Sequence, residues 1–376
     1  MRKKLFKWHS IGALIAILPV IVISVTGSIL VFKSEIDTWL MPEAMTVNIN
    51  QAQQRLSLDV LIGKVKKEHP KYEVGTWEIF DKVFDNKVRS DTAYLIERGT
   101  NTWAKVYLNQ YTGEMLSTPV GTSDDLTDWL LDLHYKFLLE TKGMFIGAIV
   151  SLILLFLGIS GIILYRKFWL NFFTLRIRLA ARIFFSDLHK MVGISSSPVL
   201  LILAFTGAYW NILLVVHEIT EHVIEEPYKM SAPLHNAELS IQTLYEQSKN
   251  EIDSFTPNYL VLPFEPSLDI TFYGAVESSN PLNSEYANFV TFDKNSGKSI
   301  LTQDIRTSHV LTVIDDSFRK LHFGYFAGLT SKIIWCVLGF SPIILAFTGL
   351  YLYWFRKRKK FTKPSKTRKT KINKPS

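Results

Sequence analysis

The sequence predicts an α-helical integral membrane protein. Four transmembrane helices form two parallel span–lobe–span repeats, and each repeat carries a small α+β lobe on the far side of the membrane. Three observations predict this. Four long uncharged apolar runs are present, Ile11–Phe32, Gly143–Tyr165, Met191–Val216 and Ile333–Phe355. Each exceeds the roughly 20 residues that cross a bilayer core. Lys and Arg crowd the short segments that lie on one side of a four-pass chain. The second half of the chain repeats the first at a nearly constant offset.

The elements follow in order. Residues 1–10 carry four basic residues and no acid. Residues 11–32 form the first span, and this apolar region is too long for a signal peptide. A lobe occupies 33–142 and the second span 143–165. The connection 166–190 holds six basic residues and one acid, Asp187. The third span is 191–216, the second lobe 217–332 and the fourth span 333–355. The tail 356–376 holds eleven basic residues and no acid. Lys and Arg concentrate on the cytoplasmic side, so both termini are expected in the cytoplasm. The three basic segments contain 21 of the 42 basic residues, and the overall charge of +8 hides two faces of opposite sign. Trp8, Trp39, Trp129, Trp169, Trp210, Trp335 and Trp354 fall near span ends, as an interfacial belt requires. The basic tail reads as a topology signal and lipid contact. Nucleic acid is not expected as a partner, because no folded basic module accompanies that tail.

The repeat is read residue by residue. His9 and Thr26 bracket the first span, and His189 and Thr206 bracket the third at the same spacing. His134 precedes the second span, which ends at Ser160-Gly161. His322 precedes the fourth, which ends at Thr348-Gly349, and the interval from His to Gly is the same in both. In the lobes, Leu56-Ser57-Leu58 and Leu239-Ser240-Ile241 each open a helix. Val106–Glu114 and Val290–Lys298 each read as strand, Gly turn, strand, since Gly accepts positive φ. Parallel repeats imply a pseudo-twofold axis along the membrane normal, with sites at the repeat interface.

Four histidines in register on membrane helices are candidate ligands, because ionisable groups there are costly and tend to be functional. His9 and His189 share the cytoplasmic ends, and His134 and His322 share the outer ends. Each face therefore offers two imidazoles across one axis, the arrangement of a six-coordinate haem. Zinc and non-haem iron sites gather more ligands. Asp132, Asp315 and Asp316 are close in sequence to the outer pair and either orient those rings or are solvated. His217 and His222 read as surface or substrate contacts, with a third metal site as the alternative. His69, His235 and His309 read as structural or exposed. One cysteine, Cys336, excludes a disulfide framework, a Cys-rich zinc site and a Cys-ligated cluster. No phosphate loop, dinucleotide fingerprint, zincin motif or nucleophile elbow is present.

These residues resemble the PepSY-associated transmembrane family, also called PepSY-TM or iron-regulated membrane proteins. The resemblance covers the four histidine starts, the four Ser/Thr-Gly ends and the two Gly turns of the lobes. It implies two PepSY-like periplasmic lobes and a multi-pass protein of the bacterial inner membrane. It further implies an activity similar to that of inner-membrane ferric-siderophore reductases, in which siderophore-bound Fe(III) is reduced to Fe(II). The implied cofactor is haem b on His9, His189, His134 and His322; two per chain, each bis-histidine, is the pairing that the repeat symmetry suggests and not one the resemblance fixes. The implied partners are the ferric siderophore, membrane lipid, a quinol or cytoplasmic reductant as electron donor, and a periplasmic protein that captures Fe(II). Two alternatives remain open, a non-enzymatic PepSY regulator of a peptidase and a haem or iron permease component. Aromatic residues of the lobes, Trp77, Trp103, Tyr107 and Tyr111, are candidate substrate contacts, with core packing as the other explanation.

Overall fold

The computed structural model describes residues 2–49, 53–167, 170, 174–220 and 228–361. In chain order, α1 (Arg2–Leu30) leads through α2 (Lys33–Leu40) and α3 (Pro42–Met45) to β1 (Thr46–Asn48), α4 (Leu58–Glu68), β2 (Tyr72–Glu78), β3 (Lys87–Arg89), β4 (Asp91–Glu97), β5 (Trp103–Leu108), β6 (Val120–Gly121), α5 (Leu126–Lys136) and α6 (Glu140–Leu164). The second half runs α7 (Ala181–Ile219), α8 (Ile241–Glu251), β7 (Thr256–Val261), β8 (Ile270–Ala275), β9 (Asn288–Phe292), β10 (Ser299–Gln303), α9 (Val310–Phe323), α10 (Gly328–Gly339) and α11 (Ser341–Phe361).

Four helical segments are long and apolar enough to cross a membrane: α1, α6, α7 and the α10–α11 segment Gly328–Arg358. The last is interrupted just before Ser341-Pro342. Proline lacks an amide proton and clashes with the preceding turn, so a helix restarts there more readily than it continues. The third helix begins at Ala181, ahead of its apolar run, and in this leading part Asp187 pairs with Arg176 at 2.8 Å.

The chain forms two compact units: Met1–Val25, Ile149–Phe205 and Leu338–Ser376 make the first, and Thr26–Ala148 with Thr206–Val337 the second. In the first unit α1 packs on α6 through Ala16, Val20 and Val150, backed by Ile23, Ile153 and Leu154. Ile15, Leu18, Leu152 and Phe156 of the same helices are exposed. Apolar on both its packed and its open face, such a helix is suited to lipid rather than water.

The second unit holds an eight-stranded antiparallel sheet, ordered β10-β9-β8-β7-β2-β4-β5-β6. The two lobes read from the sequence as separate are therefore one body. Strand β2 pairs with β7 at Thr76–Val261, Trp77–Leu260 and Glu78–Tyr259. Each half alone would leave an unpaired strand edge, a liability that edge-to-edge joining removes. The core is joined as well: Leu61, Val65, Trp77 and Leu95 pack in one cluster with Leu244, Leu260, Phe272 and Phe292.

Local chemistry explains the helix starts. Ser57 and Ser240 are N-caps that accept from the amides of Val60 and Thr243. Asp59 of α4 then accepts from the Ile241 amide at 2.7 Å, and Gln242 of α8 accepts from the Leu58 amide at 2.9 Å. Each helix thus supplies a capping side chain to the other. The Gly turns form as expected: Gly113 and Gly297 take φ of +71° and +68°. Asn109 and Asp293 close them by accepting two turn amides each. At the start of β4, fully buried Asp91 is held by Arg55, the Trp77 indole N–H and the Phe80 amide.

Candidate functional site

The four histidines that the repeat singles out make one recurring contact. His9 Nδ1 lies 2.7 Å from Ser160 Oγ, and His189 Nδ1 lies 2.8 Å from Thr348 Oγ1. In the second unit, His134 Nδ1 lies 3.0 Å from Thr26 Oγ1, and His322 Nδ1 lies 2.7 Å from Thr206 Oγ1. Every hydroxyl belongs to one of the Ser/Thr-Gly pairs near the span ends. At Gly27 the missing side chain lets the His134 ring lie against the helix. A Cβ at Gly27 would sit 2.6 Å from His134 Cε1, whereas one at Gly349 or Gly161 would sit 3.4 Å or 3.8 Å from the ring it faces.

The helices that present these rings end abruptly. His134 stands in the last turn of α5, which stops at Phe137 in the left-handed conformation, φ +51°. His322 stands in the last turn of α9, which stops at Gly324, φ +74°. Glycine is required there, because any Cβ would lie 2.6 Å from the Trp335 ring. The Trp335 indole N–H also donates to the carbonyl of Leu321 at 2.6 Å, which pins the backbone beside His322. The Trp210 ring packs 5.1 Å from the His322 ring.

The geometry of the His134–His322 pair can be tested against a haem iron. A metal–imidazole bond is about 2.0–2.1 Å, and a ring centroid lies about 1.1 Å behind its nitrogen, so two rings on opposite sides of one iron have centroids roughly 6.3 Å apart. The observed separation is 6.3 Å. Burial, and after it the neighbouring His134, push His322 down to about 3, so its imidazole is neutral and able to ligate. The His134–His322 pair, its ring planes 69° apart, therefore fits bis-imidazole ligation. Among the described residues no three or more of His, Cys, Asp and Glu gather as a metal-holding group.

The structure places other candidates elsewhere. Asp132 accepts from Ser123 and pairs with Lys136, Asp315 accepts from Tyr209, and Asp316 accepts from Ser284. The hydroxyls, not the carboxylates, meet the histidine rings. Proximity in sequence misleads here because close sequence neighbours on a helix point to different faces. Of the seven belt tryptophans, Trp335 is buried and Trp210 packs on His322. Trp8, Trp39, Trp129 and Trp354 are exposed. Trp169 and His222 lie outside the described residues, and His217 stands in the last turn of α7. His309 is the N-cap of α9, where its Nδ1 accepts from the Leu311 amide, and His69 is the C-cap of α4. Trp77 is fully buried and Trp103 packs edge-on against Phe264, so both serve packing. Tyr107 is buried and donates to Asp125.

A family model described as PepSY-associated TM region matches residues 6–357. No curated protein matches the chain.

Proposed function

The chain belongs to the PepSY-associated TM family, and from that premise we propose that it is a haem-dependent ferric-siderophore reductase of the bacterial inner membrane. In this reading both termini are cytoplasmic and the sheet-bearing unit is periplasmic. The observation that carries it is the His134–His322 pair: two imidazoles, each braced at Nδ1 by a threonine hydroxyl, with ring centroids 6.3 Å apart. His134 and His322 would hold the periplasmic haem b, and His9 and His189 the cytoplasmic one. Haem b, when bound, supplies one-electron transfer.

The chain's own residues set the conditions. The hydroxyls of Thr26 and Thr206 fix the orientation of the rings, and Gly27 leaves room for His134. Trp210 and Trp335 hold the His322 segment. The substrate is Fe(III) in a siderophore, which binds Fe(II) far more weakly, so adding one electron releases the metal without breaking the ligand. The electron comes from a quinol or a cytoplasmic reductant, and a periplasmic protein captures the Fe(II).

The test is the visible spectrum of protein purified in detergent, oxidised and then reduced with dithionite. Sharp low-spin b-type bands are expected. A colourless protein after haem-replete expression would leave the peptidase regulator or the permease as the better reading. His134→Ala and His322→Ala should each remove one haem signal and spare the other. Full haem content in both variants would refute the pairing.

A further inference from the structure

The hydroxyl contacts decide more than ring position, because each hydroxyl has a single proton to donate. The Thr348 hydroxyl donates to the carbonyl of Ile344 at 2.7 Å. The Ser160 hydroxyl donates to the carbonyl of Leu157 at 3.2 Å. Both are back-bonds to the preceding helical turn, a usual destination for Ser and Thr on helices. With the proton so directed, the oxygen accepts from the imidazole, and the Nδ1 atoms of His189 and His9, at 2.8 Å and 2.7 Å, then carry the ring proton. The neutral ring then has its lone pair on Nε2, the atom farther from the backbone.

We propose that Ser160 and Thr348 are positioning residues that lock His9 and His189 in the Nδ1–H form, present Nε2 as a ready ligand, and set how strongly each imidazole donates to its iron. An acceptor at Nδ1–H raises the basicity of a ligating imidazole and so favours the ferric state. Thr26 and Thr206 make the matching contacts to His134 and His322. Because the hydroxyl is neutral, it tunes more gently than a carboxylate at the same place would. The redox half of this inference rests on the haem-bearing reading above. The tautomer half does not.

Two measurements separate the halves. The first is nitrogen-15 NMR of histidine-labelled, haem-free protein in detergent, with peaks assigned by single His→Asn variants. His9 and His189 are expected as Nδ1–H. Ser160→Ala should release His9, and Thr348→Val should release His189, while Thr348→Ser keeps the Nδ1–H form. Nε2–H at both positions in the unaltered chain overturns the proposal, whether or not the protein binds haem.

The second is a spectroelectrochemical titration of the haem-loaded protein. Losing such an outer contact typically changes metal affinity by about 10–100-fold. A tenfold change in ferric-over-ferrous preference is ~59 mV for one electron. Thr348→Val should raise the potential of the His9–His189 haem by that order, leave the other haem unmoved, and be rescued by Thr348→Ser. Ser160→Ala gives the same readout from the opposite ligand if Thr348→Val fails to fold. An unchanged potential in the folded variants overturns the tuning role. Unaltered protein without haem overturns the reductase reading instead, and the NMR result still judges the tautomer.

Discussion

Replacing Gly27 with Ala is expected to disable the His134 site, whereas replacing Gly161 with Ala is expected to be harmless. Both glycines follow a hydroxyl residue that holds a histidine, and both stand on long helices. The new methyl at position 27 would lie 2.6 Å from His134 Cε1, and the one at 161 would lie 3.8 Å from His9 Cε1. The second distance is ordinary contact. The first forces the ring to retreat by nearly an ångström, which strains its 3.0 Å contact with Thr26. Overpacking costs about 1–3 kcal/mol, and the weakened hydrogen bond about 0.5–1.5 kcal/mol. Helix propensity returns up to about 1 kcal/mol in both variants. The two should therefore differ by roughly 1.5–4.5 kcal/mol, with Gly161→Ala neutral or stabilised. Thermal unfolding in detergent reads the order, and the visible spectrum reads loss of one haem in Gly27→Ala alone. Equal stability with equal haem content in the two variants would refute the close-approach argument.

Two further outcomes follow from the second unit. Arg55→Met leaves the Asp91 carboxylate fully buried without its cation, so unfolding should become easier by about 3–5 kcal/mol, measured by thermal or denaturant unfolding. No loss of stability would mean that the Trp77 and Phe80 donors suffice. In haem-free protein reconstituted with brominated lipid, Trp39→Phe should remove a large part of the quenchable emission, because Trp39 is 79 % exposed on α2 next to a span, whereas Trp77→Phe should remove none of it. Equal quenching in both variants would place the exposed face of α2 away from lipid.

The four spans and four histidines are legible in the sequence because their signals are local. A charge-free run reports its own environment, and a histidine at a fixed distance from Ser/Thr-Gly recurs visibly in both halves of the chain. The Gly turns at 113 and 297 are legible for the same reason, since positive φ restricts residue choice at one position. What the sequence hides is pairing between distant segments. Nothing in Thr76–Glu78 or Tyr259–Val261 marks them as partners, so the sequence reads as two lobes where one sheet exists. The role of Thr26, Ser160, Thr206 and Thr348 is hidden likewise. Their spacing shows in the repeat, but small-residue packing accounts for that equally well, and only the contacts of His134 and its counterparts reveal the hydroxyls as partners. The nearby aspartates draw attention because they are charged, although they bond to Ser123, Tyr209 and Ser284. The contacts of Trp210 and Trp335 with the His322 segment are hidden as well, because position along the chain does not report which face of a helix a ring occupies.

The central claim is that an electron leaves the His134–His322 site for siderophore-bound Fe(III). Purified protein is reduced anaerobically with excess dithionite removed, then mixed with a ferric siderophore while the haem bands are followed. The account predicts reoxidation by the ferric complex, none by its gallium analogue, and loss of the fast phase in His322→Ala. A reduced haem spectrum that persists with the ferric complex, or reoxidation that is unaffected by His322→Ala, would contradict it.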